Sequence, residues 1–256
     1  MTRDGIVCWI AGDPDMEVCW EADSAELPGR TPKPERAAPA KLTIPPLHYS
    51  RSEAHALAEL RGLSPEGIEV AAVALGCLGF GTVGGFPCWI LSDGSRRIAE
   101  ARRMDGEPFP AIGSLGVRKS HTLKGSCKSW PLGIKLPKLT IPEGFPVVLV
   151  EGGPDYLAAC DVLFHSKPEF LPVAMLGAGQ NIHPDAIPFF RGRDALVLGH
   201  PDEAGLTAAK RWAKQLRDAG ARPRARQLEG GDLNDLVKLH GAEAVATDLQ
   251  QYANHA

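Results

Sequence analysis

The chain has 256 residues and a mass of 27.3 kDa, room for one large domain or two small ones. Apolar residues make up 44% and charged residues 23%, a globular composition that excludes a wholly disordered chain. A net charge of −3 excludes a chain that is polybasic throughout, and no apolar run approaches the ~18 residues of a membrane span.

The start, Met1-Thr-Arg-Asp-Gly5, has no basic region leading into an apolar stretch, so no secretory signal and no membrane association are expected. The six cysteines (Cys8, Cys19, Cys77, Cys88, Cys127, Cys160) form no CxxC pair and are too sparse for a disulfide scaffold. They read as reduced structural thiols in a cytoplasmic protein.

Two similar pieces, Ile6-Val-Cys-Trp-Ile10 and Glu17-Val-Cys-Trp-Glu21, flank a Gly12-Asp-Pro-Asp15 turn and predict a small hairpin within residues 1–27. Six prolines between residues 28 and 46 predict a semi-rigid linker, so residues 1–46 form an appendage. Ser52 to Arg61 predicts a helix capped by Gly62, and Ser64-Pro65 predicts a second helix start. Residues 70–112, rich in Val, Gly, Cys and Phe, predict a small, mainly β subdomain with strands near 87–91 and 97–102. Between Gly94 and Lys138 the net charge is +7, leaving −10 for the rest, which suggests an anionic partner on one face.

From Phe145 the rhythm becomes strand, loop, helix. Strands are expected at 146–150, 172–176, 194–199 and 222–228, with helices at 154–164 and 203–219 and two short terminal helices. Continuous apolar strands alternating with helices predict a parallel α/β sheet, whose active groups lie at the carboxyl ends of the strands. Carboxylates fall at those ends: Glu151-Gly-Gly-Pro-Asp155, His200-Pro-Asp202-Glu203-Ala-Gly205, and Gly231-Asp232-Leu-Asn234-Asp235. Together they place Glu151, Asp202 and Asp232 on one rim, an oxygen-rich set suited to Mg2+ or Mn2+ and a phosphoryl group. Asp202 and Glu203 can equally serve as caps of the following helix. Gly177-Ala-Gly-Gln-Asn181 reads as a tight turn. Lys210, Arg211, Lys214 and Arg217 read as a solvated helix face, and Trp89 and Trp130 as core.

The three acidic segments in this order resemble the TOPRIM domain of bacterial and phage DNA primases. Leu60-Arg-Gly-Leu-Ser-Pro-Glu66, Arg102-Arg-Met-Asp-Gly106 and Lys124-Gly with Trp130-Pro-Leu-Gly133 resemble the basic subdomain that precedes it in those enzymes. The resemblance covers about residues 50–240. It implies a TOPRIM α/β domain at 143–256 preceded by a small mixed α+β basic subdomain at 47–142. The implied activity is metal-dependent nucleotidyl transfer that makes primers on single-stranded DNA from nucleoside triphosphates. The small size implies a phage, plasmid or mobile-element protein with a separate helicase or replication partner.

On this resemblance Glu151 is the central metal ligand and general base. Asp202 is a catalytic ligand and Asp232 a further one, while Arg102, Arg103, Lys124 and Lys128, with Asp155 in support, meet nucleotide or template. Two departures stand out. His200 replaces the first Asp of the DxD segment, and imidazole suits Mn2+ or Zn2+ better than Mg2+, so it is a candidate ligand for a different ion. Asn234 replaces a further acid. The same departures leave two other classes open: a non-catalytic nucleic-acid-binding accessory protein, and a metal-dependent nuclease.

Overall fold

The computed structural model describes residues 41–111, 116–166 and 169–254. The hairpin expected at 1–27 and the linker up to residue 40 lie outside the described residues. Among the described residues no helix is long and apolar enough to cross a membrane.

The first described helix, α1 (Arg51–Arg61), begins where the Ser50 side chain accepts the Glu53 N–H and ends at Gly62, left-handed with φ 65°. Helix α2 (Pro65–Glu69) starts at Ser64, whose hydroxyl accepts the Gly67 N–H at 3.0 Å. The chain then widens into a π turn, Val70–Ala74, where the sequence predicts the onset of β structure. Helical backbone prevails there because the turn continues α2 and its carbonyls are taken, Val70 O by Leu75 N–H and Ala71 O by Cys77 N–H, both at 2.8 Å.

Four strands follow as an antiparallel meander: β1 (Leu78–Val83), β2 (Phe86–Ser92), β3 (Ala99–Arg103) and β4 (His121–Thr122). Alternation splits β2 between two cores. Trp89 and Leu91 join the main core. Cys88 and Ile90 join a small one with Ala99, Ala101, Phe109 and Leu123 on the other face.

The second half is a four-stranded parallel sheet in the order β6-β5-β7-β8, with β5 (Val147–Glu151), β6 (Leu171–Met175), β7 (Asp194–Gly199) and β8 (Arg222–Gln227). The mixed α/β class expected from the sequence is the class observed. Val147 to Val150 are all buried, as a strand covered on both faces requires. The chain leaves β5 through α3 (Gly152–His165) to β6 on one side. It then crosses through α4 (Ile187–Phe190) to β7 on the other. The carboxyl ends of β5 and β7 therefore flank the switch point of the sheet, the crevice where open α/β sheets bind ligands. Helices α5 (Glu203–Asp218), α6 (Leu233–His240) and α7 (Ala242–Asn254) complete this half.

A single hydrophobic core runs through both halves. Leu132 bridges to Ala174 on β6, and the Gly133 N–H donates to Asp93 Oδ2 at 3.2 Å. Between α2 and α3 the contact is closest. Asp161, buried on α3, accepts from the Ser64 N–H at 2.9 Å and from the Ser64 hydroxyl. A Cβ added to Gly67 would stand 2.5 Å from the Asp161 Cα and Cβ. In Gly67→Ala the helix-propensity gain of ~1 kcal/mol opposes a steric cost of about 1–3 kcal/mol. Backbone cannot swing aside as a side chain can, so the expected net result is a loss of about 1–2 kcal/mol. Urea unfolding of the variant checks it; an unchanged midpoint would mean that α2 and α3 are not packed this tightly.

Candidate metal centre and cleft

Each acid of the crevice is placed by a strand end or a helix start. Glu151 is the last residue of β5, and Asp155 lies in the first turn of α3. His200 follows β7 directly, Asp202 caps α5 and Asp232 caps α6. The capping role weighed for Asp202 is the observed one: its Oδ1 accepts the Gly205 N–H at 2.7 Å. Asp232 Oδ1 accepts the Asp235 N–H at 2.8 Å in a reciprocal capping box.

Three residues converge. Asp155, His200 and Asp232 each bring one ligand atom within 4.8 Å of the others. Glu151 and Asp202, expected as the central pair, stand outside this tripod. Asp155, expected to support nucleotide binding, is only 2% exposed and both its oxygens are engaged. Its Oδ2 lies 2.7 Å from His200 Nε2 and its Oδ1 accepts the Asn234 N–H at 3.1 Å.

Burial pushes the Asp155 carboxyl up to about 6, against the opposing pull of His200 and the Asn234 N–H. The hydrogen bond to Asp155 lifts the His200 imidazole to about 9, outweighing its own desolvation. The pair is therefore an imidazolium–carboxylate pair at neutral pH. Glu151 is raised chiefly by burial and then by Asp202, while His200, the Ala178 N–H and Arg211 favour its charged form. Its Oε2 is buried without a partner.

Two carboxylates and an imidazole fit a borderline ion such as Mn2+ or Zn2+ better than Mg2+, which prefers an all-oxygen shell. The unpartnered Glu151 oxygen nearby is a further donor on the same rim. His200 Nε2 must give up the proton it shares with Asp155 before it can ligate, so ion uptake here displaces a proton.

Asn234 connects this cluster to the other half. Its Nδ2 donates to the Arg61 carbonyl at 2.9 Å and its Oδ1 accepts from the Arg61 guanidinium, 173 residues away. Burial first, and then Arg102, pull Arg61 below its ordinary range, opposed by Asp232, Asp155 and Asp235. Sequence reasoning assigned Arg61 no role. Its position inside the Leu60-to-Glu66 segment is the signal that finds it.

The expected nucleic-acid-facing cations divide. Arg102 lies over the Trp89 ring at 5.9 Å and beside buried Glu100. The Trp89 indole in turn packs over Gly153 at the start of α3, which puts Arg102 on the crevice side. Arg103, one residue on, faces the opposite side of β3. It stacks on Phe86 at 4.1 Å and pairs with Asp105. Lys124 and Lys128 are exposed, and Lys128 acts electrostatically on Glu100.

The antiparallel subdomain joined to a parallel α/β half is a fold shared with solved primase domains. Three solved structures carry that fold: the RNA polymerase domain of Mycobacterium tuberculosis primase DnaG, the same domain in complex with double-stranded DNA, and the zinc-binding and RNA polymerase domains of Aquifex aeolicus primase. The first is 19% identical over 77% of this chain and 75% of that one, with a TM-score of 0.53. For the DNA complex the values are 19%, 78%, 74% and 0.52. For the Aquifex structure they are 19%, 78%, 55% and 0.50, so the chain spans little more than half of that protein. No family model and no curated protein matches the sequence.

Proposed function

We propose that this chain is a primase-type nucleotidyltransferase that makes primers on single-stranded DNA. The observation that carries the reading is the convergence of Asp155, His200 and Asp232 at the switch point, with Glu151 beside them and Arg61 and Arg102 approaching from the other half. The two subdomains divide near residue 142, and template and nucleoside triphosphate lie between them. Asp232 and His200, with Asp155 behind, hold a divalent ion, for which Mn2+ is favoured over Mg2+ by the imidazole. When bound, that ion supplies charge neutralisation for the triphosphate. Glu151, whose free oxygen is a further donor to that ion, and Asp202 on the same rim act on the 3′-hydroxyl and the bound nucleotide. Arg102, Lys124 and Lys128 supply phosphate contacts that do not depend on sequence. Arg103 has its guanidinium on the far face and is left out of this assignment. The chain works with a separate helicase or replication partner, in the setting of a phage, plasmid or mobile element.

The test is primer synthesis on a single-stranded template with labelled nucleotides, in Mg2+ or Mn2+, with Glu151→Ala alongside. Template-dependent product in Mn2+ that falls at least about 100-fold in the variant is the expected result, the scale of losing one preorganised group at a reacting centre. The Asp155–His200 ion pair favours a second reading, in which the site is internally neutralised and the chain is a binding protein. Absence of product from folded, DNA-binding protein in either metal would establish that reading instead, and degraded template would point to a nuclease.

A further inference from the structure

Helical spacing places Arg211 with Lys210, Lys214 and Arg217 on an exposed face of α5, but the structure does not leave it there. The segment after β6, residues 177–182, folds back over α5 and half-buries Arg211. One guanidinium nitrogen, Nη2, donates to the Gln180 carbonyl at 3.0 Å and to the Ala178 carbonyl. Trp212 Nε1 donates to the same Gln180 carbonyl at 2.8 Å. Gln215, one turn further along, accepts the Ile182 N–H at 3.0 Å. Three side chains of one helix thus fix a segment that has no secondary structure of its own.

The segment leaves β6 beside the end of β5, where Met175 is in register with Glu151, the residue whose Oε2 is buried without a partner; three residues on, Ala178 acts on the Glu151 carboxylate in favour of its charged form. We infer that Arg211 is a positioning residue for Glu151: by holding the Ala178 and Gln180 carbonyls it fixes the Ala178 N–H that orients the Glu151 carboxylate. A carboxylate at a strand end has free rotamers, and one donor on one oxygen selects among them and leaves the other oxygen for a ligand. The guanidinium also adds a fixed positive charge near that carboxylate. The inference rests on the reading of Glu151 as part of the ion site only for its effect on metal binding. The orientation of the side chain stands apart from that reading.

The experiment separates the two. The amide of Ala178 is followed in a 1H–15N spectrum of the full chain, in wild type, Glu151→Gln, Arg211→Met and the double variant. Affinity for Mn2+ alone is measured on the same samples by electron paramagnetic resonance. The expected result is an Ala178 signal that moves on Glu151→Gln in wild type but not in the Arg211→Met background. Mn2+ affinity is expected to fall about 10- to 100-fold in Arg211→Met, the usual effect of removing a group that orients a ligand. An Ala178 signal that responds to Glu151→Gln equally in both backgrounds would overturn the inference, as would wild-type Mn2+ affinity in folded Arg211→Met when Glu151→Gln has lost affinity. Should Glu151→Gln bind Mn2+ like wild type while the Ala178 coupling behaves as stated, the metal reading of Glu151 falls and the positioning by Arg211 stands. Gln215→Leu cuts the same segment loose at Ile182 and carries the same expectation at smaller amplitude if Arg211→Met does not fold.

Discussion

His200→Ala is expected to destabilise the metal-free protein by about 3 kcal/mol at pH 8, the lower end of what removing one partner of a buried pair costs. The lower end applies because the His200 side chain is 25% exposed, whereas Asp155 is 2% exposed. For a chain of this size that corresponds to a fall of roughly 6–12 °C in melting temperature. The loss arises from Asp155, whose carboxylate keeps only the Asn234 N–H once the imidazole is gone. The pH dependence follows from the directions of the two shifts. In the wild type it is Asp155 that raises His200 to about 9, so the contribution of the pair is present where Asp155 is ionised, above about 6, and disappears as pH rises through 9. Asp155 is raised to about 6 even with its partner and rises further without it, so the cost in the variant appears only where Asp155 ionises. At pH 5 the variant should therefore melt close to wild type, and the gap should open towards pH 8. Above pH 9 the wild type should fall towards the variant. Thermal melts in chelator at pH 5, 8 and 10 check this. A gap that is the same at all three would show that Asp155 and His200 do not form the pair described.

Much of the α/β half is legible in the sequence because its signals are local. Val147 to Val150 is an apolar run bounded by turn residues, and a central parallel strand is the structure that buries such a run on both faces. Ser64-Pro65 and Asp232 announce helix starts through chemistry within four residues. The π turn at Val70–Ala74 is not legible, since five small and β-branched residues suit strand or helix, and contacts made elsewhere in the fold decide between them. The same limit applies at the site. Spacing places Asp155 on the first turn of α3, yet nothing local tells that it faces inward to His200 rather than outward to a nucleotide. Nor does any pattern couple Arg61 to Asn234. Arg211 shows the limit of periodicity: it lies on the face that the helical period predicts to be solvated, and the segment after β6 covers it. The list of acids was readable, but which of them share a proton was not.

His200→Asp carries the largest functional expectation, because it changes which ion the crevice can accept. A carboxylate in place of the imidazole meets Asp155 in a crevice that already holds Asp232, so the apo variant contains three acids and has lost their cation. Like charges this close cannot all ionise without cost, so at pH 8 the metal-free variant should be less stable than wild type and should retain a shared proton. A hard divalent cation removes that cost and now finds an all-oxygen donor set. The variant should therefore gain stability from Mg2+ where the wild type does not. At 100 times Kd the gain is about 2.7 kcal/mol. In the wild type Mn2+ should raise the melting temperature and Mg2+ should leave it nearly unchanged, because the imidazole at the position nearest Asp155 suits the softer ion. Primer synthesis should follow the same exchange, with product dependent on Mn2+ in wild type and supported by Mg2+ in His200→Asp. Melting curves in chelator, Mg2+ and Mn2+ test the ion preference without reference to turnover. A variant that Mg2+ does not stabilise would mean that position 200 does not reach the ion. The preference would then have to come from other groups at the switch point, among them Glu151 with its free oxygen.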